Sequence, residues 1–313
     1  MEPVEPSADL ASELAERLKK VCLDGKVKGT SQDKKNLLKF LEDNKVRDPE
    51  LIVKVGLDLL NNELTTLGED EWDLREKVLI AALDSGEERI ALEQYTTLVG
   101  KFQKQDSENP SVRLMKLNAL LMEFRGKLLD AEDIYKKILK HDEVNPHAFR
   151  RLVCLNKASG NLKGAVNQLN VYLRTFPADI EGWLELAEFY ILMDRIDYAR
   201  FCYEEAILLA PHDYRYPLLY ADSLYASAGQ NSRRSGVRNP LELARQYYIQ
   251  TLELCPGNVR ALIGLAMCIR GLKVTNNSQA LFKWAETELT VIYSKAGETG
   301  RKLLSTVRAA LHQ

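Results

Sequence analysis

The chain is expected to fold as an all-α protein, a right-handed α-solenoid of stacked helical hairpins. Three observations carry that expectation. Ala131, Ala165 and Ala199 recur at intervals of 34 residues. Gly126, Gly160 and Asp194 each stand five residues before one of these alanines, so GKLLDA, GNLKGA and DRIDYA read as one repeated turn. The stretch from Glu181 to Pro211, EGWLELAEFYILMDRIDYARFCYEEAILLAP, then places large and small residues as two antiparallel helices need them.

The physical sense of the pattern is close packing. Small residues are needed where the two helices cross, Ala187 on the first and Ala199 on the second. Trp183, Leu186, Tyr190 and Tyr203 fill the space around them. Glycine or aspartate suits the tight turn. Proline, here Pro211, suits the start of the next helix. A period of 34 with W-x2-L-[GA]-x2-Y…A-x3-[FY] is the tetratricopeptide signature. One hairpin leaves an apolar face open, so each must stack on its neighbours. A further copy, GEERIA from Gly86 to Ala91, lies 40 residues ahead of Ala131, with about six polar residues added near QKQDSEN. A fifth is carried by Ala244, Tyr248 and Pro256. It lies 45 residues after Ala199, the surplus falling in GQNSRRSGVRNP.

In chain order, residues 1–8 are expected to be disordered and residues 9–313 to form a single solenoid. Leu10, Leu14, Leu18, Val21 and Cys22 share one helical face. LDGKVKGT is a break, and Ser31 is the expected cap of a helix carrying Leu37, Leu38 and Leu41. Asp48-Pro49 is a strong helix start. It opens the last of the N-terminal helices, which occupy residues 9–66. Acidic GEDEWD reads as another helix start, with carboxylates at the positive end of the dipole. Hairpins are expected at 70–104, 111–142, 146–175, 180–210 and 213–254, the last holding the inserted loop 229–240. A weaker pair at 258–272 and 276–296 and a closing helix at 299–312 complete the chain. No stretch shows the alternation of a strand.

Bulk properties narrow the function. Of 313 residues, 45% are hydrophobic and 28% charged, which supports a real core. A formal net charge of −2 does not draw the chain to nucleic acid or an anionic bilayer. No run without Asp, Glu, Lys or Arg exceeds 10 residues. A spanning helix needs about 20 apolar residues, so none is expected. MEPVEPSADL has no apolar core of a signal peptide, and residence in the cytosol is expected. The five cysteines form no CxxC and read as reduced, mostly buried thiols, with no metal or other cofactor implied.

Catalysis finds no constellation. His141 and His147 flank HDEVNPH, which reads as a solvated turn between repeats. HExxH, GxSxG, GxGxxG and a P-loop are absent. The aromatic residues Trp183, Tyr190, Tyr203, Tyr247 and Tyr248 read as core at repeat spacing. Binding is the remaining class. The inner, concave face should be built from the first helix of each hairpin. Its candidate partner-binding residues are Lys116, Leu120, His147, Arg150, Cys154, Glu181, Leu184, Glu188, Arg215, Leu218 and Asp222. Mixed charge and apolar character suit a protein segment better than a small molecule. Arg233, Arg234 and Arg238 in the inserted loop are candidates for contact with acidic lipid headgroups or a partner. The alternative partner is a soluble chaperone, whose C-terminal carboxylate some tetratricopeptide domains clamp with Lys and Asn. Here the first helices starting near 112, 146 and 180 offer Lys116 and Leu120, then Arg151, then Glu181 and Glu185. The acidic pair repels a carboxylate.

The segments LGEDEWDLREKVLIAALDSGEERIALEQY, EGWLELAEFYILMDRIDYARFCYEEAILLAPHDYRYPLLYADSLY and NPLELARQYYIQTLELCPGNVRALIGL, in this order, resemble the family of subunit 2 of the endoplasmic reticulum membrane protein complex. The resemblance covers roughly Pro49 to Leu272. It implies a non-catalytic scaffold peripheral to the cytoplasmic face of the endoplasmic reticulum membrane. Its complex inserts tail-anchored and multi-spanning proteins. The implied partners are cytosolic ends of membrane-embedded subunits and a second soluble subunit. The loop GQNSRRSGVRNP is longer than the family pattern, and the first 46 residues and the C-terminal tail match poorly.

Overall fold

The computed structural model describes residues 13, 17–18, 21–23, 26–103, 111–229, 239–272, 276–295 and 297–312. The proposed disordered residues 1–8 and the loop arginines Arg233, Arg234 and Arg238 lie outside them. By its internal contacts the chain divides into two compact units, Met1–Ala148 and Phe149–Gln313.

The first unit holds two short strands where none is expected from the sequence. Strands β1 (Cys22–Leu23) and β2 (Lys26–Val27) pair antiparallel, with Cys22 opposite Val27 and Leu23 opposite Lys26. That register leaves the dipeptide Asp24-Gly25 between them, the strongest short-range hairpin signal a sequence carries. Helix α1 (Ser31–Asp43) is capped by Thr30 rather than Ser31. Thr30 is extended, and its hydroxyl accepts from Asp33 N at 3.2 Å. Asp48 caps α2 (Pro49–Asn62) as expected, accepting from Leu51 N at 3.1 Å with Pro49 in the first turn. Buried Lys34 reaches Asp58 and Glu63, each at 2.5 Å, and so bridges α1 to the far end of α2. A short turn of helix, α3 (Leu64–Leu67), leads to α4 (Asp70–Ser85), whose first turn carries Asp70, Glu71 and Asp73. Next come α5 (Glu88–Phe102), α6 (Val112–Phe124) and α7 (Leu128–His141).

Helix α8 (Pro146–Ala158) contains the boundary between the units. The second unit continues with α9 (Leu162–Thr175), α10 (Ile180–Leu192), α11 (Ile196–Leu209), α12 (Arg215–Gly229) and α13 (Pro240–Leu254). It ends with α14 (Val259–Gly271), α15 (Asn276–Lys295) and α16 (Gly297–His312). From α9 onward each helix packs on the next, so the second unit is a stack of hairpins.

The repeated turn is one structure in four places. Gly86, Gly126, Gly160 and Asp194 all take positive φ, at 85°, 74°, 74° and 55°. In each, the following N–H reaches a carbonyl five residues back: Glu87 to Ala82, Lys127 to Met122, Asn161 to Asn156 and Arg195 to Tyr190. This closure satisfies the last carbonyls of the first helix and needs a left-handed residue. The small residues do what the crossing requires: Ala91, Ala131, Ala165, Ala187, Ala199 and Ala244 have no exposed surface. Tyr203 and Tyr248 are core, but Trp183, Tyr190 and Tyr247 are only half-buried. They lie beside the crossing and not beneath it. The indole N–H of Trp183 donates to Pro177 O at 2.8 Å, and Tyr190 stacks on Tyr198 with ring centroids 5.2 Å apart. Burial pushes the Cys202 and Cys268 thiols up to about 12, so both stay protonated at neutral pH.

Candidate functional site

The first helices of the hairpins present their candidates unit by unit. In the first unit, Lys116 and Leu120 on α6 are half-buried. His147 is half-buried beside Tyr135, with ring centroids 6.1 Å apart. HDEVNPH is a capped turn: Asn145 accepts from Ala148 N at 3.1 Å and donates to Asp142 at 2.8 Å.

In the second unit the charged candidates separate into two kinds. Arg150 is tied inward. Its guanidinium meets the Asp179 carboxylate at 2.5 Å, stands 3.7 Å from Glu185 and lies over the Tyr172 ring at 5.3 Å. Asp179 is the hub. It accepts from the Tyr172 hydroxyl at 2.6 Å and, as the cap of α10, from Gly182 N at 3.3 Å. Burial alone would raise its pKa. The hydrogen bonds from Tyr172 and Arg150 outweigh burial and hold the carboxyl below its ordinary range. One carboxylate therefore joins α8, α9 and the start of α10.

Asp222 on α12 is the second hub. It accepts from the Tyr248 hydroxyl of α13 at 2.6 Å and pairs with Arg260 of α14 at 2.7 Å. Burial raises its pKa despite both partners. Arg215 is exposed but folds back on Asp213 at 2.6 Å. Leu218 is 8% exposed and belongs to the hairpin interior, which corrects its assignment to the binding face. Tyr216 and Pro217 are buried as well, so the start of α12 is enclosed on most sides.

What remains accessible on this face is Glu181, Glu188 and Cys154, with Leu184 half-buried among them. Glu181, Leu184 and Glu188 follow at spacings of three and four, one stripe along α10. A half-apolar stripe with two exposed carboxylates can bind a chain segment through cations and apolar contacts. Among the described residues no group of His, Cys, Asp and Glu is placed to hold a metal. Asp179, Tyr172, Tyr248 and Arg260 were not among the expected site residues. Asp179 carries a legible signal, an Asp three residues before Gly182 at a helix start. Arg260 carries none, because its partner Asp222 is 38 residues away in sequence.

Stacked hairpins with positive-φ turns, buried crossing alanines and an open first-helix stripe define a tetratricopeptide-type binding scaffold. The solved C-terminal part of a TPR repeat-containing protein from Cytophaga hutchinsonii superposes with a TM-score of 0.53. It does so over 94% of this chain and 97% of its own, at 14% identity, a likeness of fold. Residues 108–232 match the family described as EMC2 TPR-like repeat domain. ER membrane protein complex subunit 2-A of Xenopus laevis is 34% identical over 90% of this chain and 92% of its own. Subunit 2 of Dictyostelium discoideum is 31% identical over 83% and 82%. TPR repeat protein oca3 of Schizosaccharomyces pombe is 29% identical over 72% and 73%. The chain belongs to the family of subunit 2 of the endoplasmic reticulum membrane protein complex. That family is a non-catalytic scaffold, so the chain is not an enzyme. Among the described residues no helix is long and apolar enough to cross a membrane.

Proposed function

We propose that the chain holds other subunits of the complex together at the cytoplasmic face of the endoplasmic reticulum. There it supports insertion of tail-anchored and multi-spanning proteins without taking part in bond chemistry. Kinship over nine-tenths of the chain carries this reading. The first-helix faces are the proposed grip on partner segments. On them Arg150 and Asp222 act as internal braces, while Lys116, Leu120, Glu181, Leu184 and Glu188 meet the partner. Glu181 and Glu188 favour a cation-bearing segment and disfavour the carboxylate of a soluble chaperone tail.

The test is affinity purification of the tagged chain from detergent-solubilised membranes. The expected result is a stoichiometric set of multi-spanning subunits. Glu181→Lys with Glu188→Lys should lower their recovery several-fold and leave the melting temperature of the chain unchanged. Recovery of soluble chaperones alone would overturn the scaffold reading. Full recovery with the charge-reversed chain would remove these two residues from the interface.

A further inference from the structure

A second surface lies on α11, the partner helix of α10. Tyr198, Phe201 and Leu208 are 55%, 52% and 75% exposed. At 100° per residue all three fall within about 80° of arc, and from Tyr198 to Leu208 they extend about 15 Å along the axis. Trp183 meets Phe201 edge-on at 6.0 Å, and Tyr190 stacks beneath Tyr198, so the aromatic stripe is seated on a firm base. Carboxylates run along one side of it, where Asp197 and Glu204 stand seven residues apart, and Glu205 falls within the arc between Tyr198 and Phe201. The sole cation of the helix, Arg200, is buried and paired to Asp197. Glu204 accepts from the Tyr220 hydroxyl at 2.5 Å.

We propose that this side of α11 docks a basic amphipathic helix of a partner protein. Its apolar residues, at spacings of three and four, would lie on Phe201 and Leu208. Its lysines or arginines would face Glu204 and Glu205. The charge pattern selects this occupant over two others. A second copy of this chain would set these carboxylates against their own kind, and an anionic bilayer surface would be repelled by them. Docking here uses a surface other than the first-helix faces, so it goes beyond the scaffold reading.

The experiment replaces Leu208 by a photoreactive phenylalanine analogue in the tagged full-length chain and irradiates the native assembly. The crosslinked peptide should map to a helix with Lys or Arg flanking its apolar stripe. Its yield should fall as salt rises, because exposed charge pairs are screened. Glu205→Lys should lower the yield about fivefold, the effect of roughly 1 kcal/mol. Glu205 forms no ion pair among the described residues, so the variant should fold. The salt series needs no variant. A crosslink to lipid, to a second copy or to an acidic or uncharged segment would overturn the proposal. So would the absence of a protein crosslink, or a yield indifferent to both salt and Glu205→Lys. Co-purified subunits are read separately. A basic-helix crosslink without them would sink the scaffold reading and leave this one standing.

Discussion

At the residue scale, two positions show how little space the hairpins leave. Gly264 on α14 faces the ring of Tyr248, and a Cβ there would sit 2.4 Å from the ring carbon that bears the hydroxyl. Tyr248 cannot retreat easily, because it is 2% exposed and its hydroxyl is held by Asp222. Gly264→Ala should therefore destabilise the chain by about 1–3 kcal/mol through overpacking. The denaturation midpoint checks this. A loss below about 0.5 kcal/mol, inside the range of ordinary surface changes, would mean that the ring shifts freely. The turns show the opposite case. Asp194 has the left-handed backbone of Gly86, Gly126 and Gly160, and no crowding atom lies within 4 Å of where a Cβ would stand on those glycines. Backbone conformation alone restricts these positions, and aspartate is among the few other residues that tolerate it.

At the element scale, the tie between successive hairpins is Asp179. Replacing it by alanine removes the cap of α10, worth about 1 kcal/mol. It also strips a half-buried arginine and a buried tyrosine hydroxyl of their partner, about 1–3 kcal/mol more. Asp179→Ala should thus lose roughly 2–4 kcal/mol in total. The pH dependence has a definite sign. The folded carboxyl lies below its ordinary pKa, so its stabilisation is complete above the unfolded value of about 4. It is lost as pH falls through the lower, folded value. Wild type should weaken below about pH 4, and Asp179→Asn should flatten that part of the curve. Melts from pH 2 to 7 decide it; a variant with the same acid slope as wild type would remove Asp179 as the cause. The elements themselves were legible from sequence. The 34-residue period marked the turns at Gly126, Gly160 and Asp194, because alanines and turn residues at fixed spacing favour one packing solution, whereas the two-stranded pairing of Cys22–Leu23 with Lys26–Val27 went unread. Arg150 and Asp179 are 29 residues apart and join different hairpins, and no local periodicity marks such a pair. Leu218 shows the same limit: its register position placed it on the binding face, and in the structure it is buried.

At the scale of the whole molecule, the question is how a chain of this composition stays at a membrane. No described helix can cross one. Lying on the surface requires an apolar face free to enter the headgroup region, with cations around it. The best candidate by composition is α16, with Arg301, Lys302 and Arg308, but Leu304 and Leu311 on that helix are buried and Arg308 donates to Thr290 of α15. The exposed apolar stripe on α11 has carboxylates along one edge and within it, and the formal net charge is −2. Both observations oppose direct attachment to an anionic leaflet. We propose that retention passes through protein contacts. Alkaline carbonate disrupts such contacts and leaves spanning helices in place. The chain should therefore move to the supernatant on carbonate washing of microsomes while the spanning subunits stay in the pellet. In mild detergent, all of them should elute together. A chain that stays with the carbonate pellet would be anchored in the bilayer itself, and the reading of a peripheral, protein-held scaffold would fall.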